Sequence, residues 1–190
     1  LPKKLLDLPR RGVINIHPSL LPKFRGPSPY VSNILADERT TGVSVMLLEE
    51  KMDAGPILAQ ARLEIEEADW PPQGLMLSQM LFTEGINLLA EILPDYLSGK
   101  LEPTAQDETL ATYTKKFTDA DALLDLSNPR ESYLKVKAFD KSPRAHFINE
   151  KGKRVVVTDA AWKEGQLEIL KVLPEGKKEM QYEDYLRGIR

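Results

Sequence analysis

The chain has no cysteine in 190 residues. That excludes disulfides and thiolate metal sites, and it fits a reducing cytoplasm, the expected location. It has no apolar run of about 18 residues and no signal-peptide pattern, so neither a membrane partner nor a secreted form is indicated. A positive excess is also missing: 26 Lys and Arg stand against 29 Asp and Glu, a net charge of -3. This excludes an overall basic nucleic-acid binder but leaves room for a local basic face. There is no internal repeat or low-complexity tract. What remains is an ordinary globular composition, 42% hydrophobic and 29% charged, long enough for one large domain or a medium domain with a small second one.

Hydrophobic patterning predicts an α/β protein. Gly12–His17 reads as a strand, β-branched between Gly12 and Pro18. A helix is expected over Pro27–Asp37, a strand over Val43–Glu50, a turn at MDAGP and a strand over Ile57–Ile65. Strand, helix, strand is the grammar of a βαβ unit with parallel strands. Leu75, Leu77, Leu81, Ile86, Leu89 and Ile92 fall at helical spacing between Pro72 and Leu97. Residues 101–117 are polar and aperiodic, a linker or wrapping segment. A helix capped at Ser127 or Asn128 then precedes three strand-like runs (AHFIN, KRVVVTDAAW and QLEILKVL) and a short helical tail. The expected division is 1–100, a linker 101–117, and a small β-rich, barrel-like domain 118–190.

Three side chains stand out. Residues two apart on a strand share a face, so Asn15 and His17 point the same way at a strand's carboxyl end, where α/β sheets place ligands. Asp53 lies just past the next strand, at the same edge if the two strands run parallel. An amide, an imidazole and a carboxylate suit acyl transfer. Asn15 and a protonated His17 would stabilise a carbonyl oxygen. Asp53 would hold His17 charged and help move a proton. Singly, each residue has a plainer explanation: a histidine at a strand end is more often structural, and an aspartate near a glycine is usually a turn former.

Two separated motifs change that weighting. INIHPSLLPKFRGPSP followed by TGVSVMLLEEKMDAGPILAQ closely resembles the folate-dependent formyltransferases. KFRGPSP and the later LEPTAQDETLATYTKKF are most similar to the branch that acts on methionyl-tRNA. The resemblance implies a partial Rossmann-like catalytic sheet followed by a small OB-like barrel. It implies Asn15, His17 and Asp53 as catalytic residues and Leu48, Glu49, Glu50, Lys51, Met52 and Asp53 as the folate-contacting loop. Ser19, Leu20 and Leu21 would shape the loop behind the site. It further implies 10-formyltetrahydrofolate as formyl donor, no metal, initiator methionyl-tRNA as acceptor and a monomer when complete. The family's first half has no counterpart before LPKKLLDLPRRG, so Gly12–His17 is expected to be the fifth strand of a longer sheet. The polypeptide by itself is then expected to expose a strand edge and apolar surface and to be poorly soluble or inactive.

Between Asn128 and Lys178 twelve Lys and Arg face seven Asp and Glu, a net of +5 in a negative chain. Such a β module suits phosphate-backbone contact, and it is equally an ordinary solvated surface. The resemblance favours tRNA, with Arg25, Lys151, Lys153 and Arg154 as substrate contacts. Phe147 and Trp162 read equally well as core aromatics. The competing readings are formyl transfer to another amine, such as a nucleotide sugar or glycinamide ribonucleotide, and a non-catalytic RNA-binding module.

Overall fold

The computed structural model describes residues 2–188. The chain divides into two compact units, residues 1–72 with 76–116, and residues 73–75 with 117–190.

The first unit opens with a short helix α1 (Lys3–Leu6) and contains β1 (Ile14–His17), α2 (Pro29–Leu35), β2 (Thr40–Leu47), β3 (Ile57–Glu64) and most of the long helix α3 (Gly74–Ser98). Its sheet has the order β1-β2-β3. The parallel arrangement expected for β1 and β2 is not what forms: both neighbouring pairs are antiparallel, with Ile14 opposite Leu47 and His17 opposite Ser44. The connection from β1 to β2 explains this. Its first part is a loop stitched to the sheet, with Ser44 Oγ donating to the Ser19 carbonyl at 2.7 Å and accepting from the Leu21 amide at 3.0 Å. Gln60 Nε2 donates to the Leu21 carbonyl at 2.9 Å and to Ser44 Oγ at 2.8 Å. Only seven residues remain for α2, fewer than the helix that normally carries a parallel crossover.

Alternation along β1 separates chemistry from packing. Ile14 and Ile16 face α3, where they join Leu47, Leu88, Leu89 and Ile92 around buried Val45, Leu58 and Tyr96. The approach is closest at Gly85, where a Cβ would fall 2.4 Å from Ile16 Cγ2 and 2.9 Å from Val43 Cγ2. The segment before β1 is fixed to the same helix, Arg11 Nη1 donating to the Tyr96 carbonyl at 3.1 Å and the Tyr96 hydroxyl to the Arg11 carbonyl. Among the described residues β1 pairs with β2 alone, and Phe82 and Ile86 of α3 are exposed.

The second unit is the expected small β-rich module. Helix α4 (Pro129–Ala138) is capped by Asn128, whose side chain accepts from the Glu131 amide. Strands β4 (His146–Ile148), β5 (Arg154–Lys163), β6 (Gln166–Pro174) and β7 (Met180–Gln181) then form an antiparallel meander in sequence order, and α5 (Tyr182–Gly188) follows. His146 of β4 also forms a parallel bridge with Leu123, the Leu124 amide donating to the His146 carbonyl at 2.8 Å, so the segment before α4 joins the small β module. β5 bends through two register shifts near Asp159. Trp162 and Phe147 are half-buried against other rings: Trp162 lies 5.6 Å from the Tyr133 ring and Phe147 lies 6.3 Å from that of Tyr185. No described helix is long and apolar enough to cross a membrane.

Candidate active site

Because β1 and β2 run antiparallel, the end of β2 lies beside the start of β1. The chain after Leu47 must therefore return by roughly 10 Å, about three strand residues, to reach His17. It does so in the loop Leu48–Pro56. The Leu48 amide donates to the Val13 carbonyl at 2.8 Å, and the Leu47 amide to the Pro56 carbonyl at 2.9 Å. Asp53 takes a left-handed backbone, φ +50°, unfavourable for a side-chain-bearing residue and so held by its neighbours. The result is that Asp53 Oδ2 lies 3.8 Å from His17 Nδ1 and accepts from the Gly26 amide at 2.7 Å. Gly26 itself has φ +111°, which favours glycine, and a Cβ there would meet Thr114 Oγ1 at 2.8 Å.

His17 is buried, 4% exposed. Its Nε2 lies 3.1 Å from the Phe24 carbonyl. A carbonyl only accepts, so Nε2 carries the hydrogen and Nδ1 faces the carboxylate. The expectation that Asp53 holds His17 in its charged form is corrected here: burial outweighs both the Asp53 charge and the Phe24 carbonyl, and the pKa lies below its ordinary value. Asn15 is half-buried on β1, opposite Met46 and on the same strand face as His17.

Arg25 is placed differently from the expected substrate contact. Its side chain has no exposed surface. The guanidinium donates to Gln106 Oε1 from Nε at 3.1 Å and Nη2 at 2.8 Å, to Glu108 at 2.8 Å and to the Tyr113 hydroxyl at 3.2 Å. Glu108 also binds Lys51. Hydrogen bonds from Arg25 and Lys51 hold its carboxyl at about 2. Sequence reasoning missed this strap, residues 104–114, as part of the site. It crosses the loop through the Arg25 amide to the Thr112 carbonyl at 2.9 Å, the Thr114 amide to the Arg25 carbonyl at 2.7 Å, and paired bonds between Thr104 and Ile57. Its polar, aperiodic sequence carries no signal beyond its threonines and the QDE triplet.

Of the loop residues expected to contact folate, Glu49, Glu50, Lys51 and Met52 are exposed, Leu48 and Asp53 partly so. Lys151, Lys153 and Arg154 belong to the second unit. Lys151 and Lys153 are exposed on the turn between β4 and β5, where both amides donate to Asn149 Oδ1. Arg154, partly exposed, is held by Asp119 at 2.8 Å and the Arg144 carbonyl at 3.2 Å.

Residues 1–77 match a family model described as formyl transferase. A methionyl-tRNA formyltransferase of Chloroflexus aurantiacus is 42% identical over 147 residues, 76% of this chain and 46% of that protein. One from Herpetosiphon aurantiacus is 32% identical over 220 residues, 99% of this chain and 68% of that protein. Among solved structures, HypX from Aquifex aeolicus in complex with tetrahydrofolic acid aligns with a TM-score of 0.71 at 20% identity, covering 91% of this chain and 34% of that one. The match to the Herpetosiphon relative along nearly the whole chain marks a protein of the formyltransferase class. More narrowly, the chain belongs to the methionyl-tRNA formyltransferase family, and it spans about half to two thirds of the length of these curated relatives.

Proposed function

We propose that this chain carries the acyl-transfer site for moving a formyl group from 10-formyltetrahydrofolate to the α-amine of methionine on initiator tRNA. The observation that carries the reading is the buried pair His17–Asp53, 3.8 Å apart, on a strand that presents Asn15 on the same face. The donor supplies an activated formyl carbon. The exposed stretch Glu49–Met52 beside left-handed Asp53 offers main-chain groups to a planar, hydrogen-bonding heterocycle. With the Lys51 side chain tied back to Glu108, main chain rather than that ammonium makes the contact.

Asn15 provides N–H donors for a carbonyl oxygen that becomes negative. His17, neutral because it is buried, acts as a base through Nδ1. A proton arriving there is stabilised by Asp53 and can pass on to the leaving nitrogen. The acceptor is read from the relatives: the Herpetosiphon enzyme, named for methionyl-tRNA, is matched over 99% of this chain, second unit included. This reading places the protein in the cytoplasm, at translation initiation.

The test is a chimera in which this chain replaces the matching region of the Herpetosiphon relative. It is expected to formylate methionyl-initiator tRNA and not a nucleotide-sugar amine. Asp53→Asn or His17→Asn should lower kcat/KM by about 10²–10⁴-fold. A folded chimera that formylates no tRNA, or full activity in Asp53→Asn, overturns the proposal.

A further inference from the structure

Gln106 has every hydrogen-bonding group of its side chain engaged, and all four bonds converge on the two supports of Asp53. Its Nε2 donates to the Asp53 carbonyl at 2.9 Å and to the Gly55 carbonyl at 2.7 Å. Its Oε1 accepts from Arg25 Nε at 3.1 Å and Nη2 at 2.8 Å. Carbonyls only accept and a guanidinium only donates, so chemistry fixes the orientation of the amide. The two clamped carbonyls bracket Ala54 and hold the backbone where Asp53 takes φ +50°. Arg25, on the other side of the amide, precedes Gly26, whose N–H binds the Asp53 carboxylate at 2.7 Å. One side chain thus joins the loop that carries the carboxylate to the segment that receives it.

We infer that Gln106 is a positioning residue, setting the distance between the Asp53 carboxylate and His17 by clamping the carbonyls of Asp53 and Gly55. The inference rests on the formyl-transfer reading for its purpose, while its geometry and its test are independent of turnover. Among the described residues, neither Gln106 nor the strap hydrogen-bonds the imidazole. The groups that face His17 are the Phe24 carbonyl on Nε2 and Asp53 on Nδ1, with neutral Ser44 opposite it on β2. The nearby charges Arg25, Lys51 and Glu108 are paired with one another.

The chain contains two histidines, His17 and His146, so each can be titrated by ¹⁵N-imidazole NMR in the 190-residue chain, with one acting as control. Asp53 raises the His17 pKa against burial. Withdrawing Asp53 must therefore lower the midpoint, and Asp53→Asn defines the full extent of that fall. Gln106→Leu and Gln106→Met both remove the clamp without adding charge, and either one suffices if the other folds poorly. The expected result is a His17 midpoint shifted down towards that of Asp53→Asn, with His146 unmoved. A His17 midpoint at the wild-type value in a folded Gln106 variant overturns the inference, as does an Asp53→Asn chain in which His17 does not move. A general loss of stability without a shift at His17 would mark Gln106 as structural only and also overturns it. Formylation by the chimera is scored separately, so failure of the functional reading cannot be mistaken for failure of this one.

Discussion

His17 sits between opposing influences: burial favours the neutral ring, while Asp53 and the Phe24 carbonyl favour the charged one. Burial is the largest, and the consequence is measurable. The unfolded chain binds a proton at the ordinary histidine value, near 6.5, before the folded chain does. Stability contributed by neutral His17 is therefore complete above that value and is lost as pH falls through it towards the lower folded value. Urea midpoints measured from pH 7.5 to 5 should decline in this window for the wild-type chain, and His17→Asn should flatten the decline. Parallel curves for the two proteins would contradict this assignment. In Asp53→Asn the folded value falls further, so the loss should continue to lower pH. The same neutrality makes His17 a base at physiological pH, which is why its burial matters to the proposed chemistry and not only to packing.

At the scale of elements, β1 has two faces with different duties, and α3 is what keeps them apart. Gly85 lets the helix backbone lie on Ile16 and Val43. Gly85→Ala gains helix propensity but places a methyl group where two β-branched side chains already are. Both neighbours are held within the sheet, so the helix must shift, and overpacking of this kind costs about 1–3 kcal/mol. Chemical denaturation should show a net loss despite the better helix former; a gain in stability would mean that α3 moves freely over the sheet. β2 was legible as a largely apolar run, buried from Thr41 to Met46, and periodicity made α3 and β3 legible. Asn15 and His17 were legible as a pair for the same reason. Strand direction was not, because the polarity of β2 is decided by how the Ser19–Leu21 loop binds Ser44 and Gln60, contacts with no local periodic signature. The burial of Arg25 was equally hidden: an arginine reads as surface until Gln106, Glu108 and Tyr113 are known to enclose it.

For the whole molecule, charge distribution says more than net charge. The chain is negative overall, yet Asn128–Lys178 carries a net of +5; the rest of the second unit adds six Asp and Glu against two Arg, so phosphate attraction is confined to that segment. Not every cation there is equally available. Arg154 is tied to Asp119 at 2.8 Å, and exposed Lys153 has Glu175 only at 3.8 Å, a separation at which an exposed pair is weak. Lys151 and Lys153 on the turn after β4 are thus the better candidates for phosphate contact, and Arg154 serves mainly to hold its own module together. Neutralising one phosphate contact reduces the slope of log K against log salt by about 0.7–0.9. Binding of initiator tRNA to the chain should therefore weaken steeply with salt. The double variant Lys151→Ala/Lys153→Ala should lower the slope by about 1.4–1.8 if both lysines contact phosphates. Arg154→Ala should change thermal stability more than the slope, because it removes the 2.8 Å ion pair to Asp119 and one of the two side-chain contacts on the Arg144 carbonyl, the other being His146 Nδ1 at 2.9 Å. If the double variant keeps the wild-type slope, the positive excess of Asn128–Lys178 is solvated surface, and the tRNA contact must be sought elsewhere on the chain.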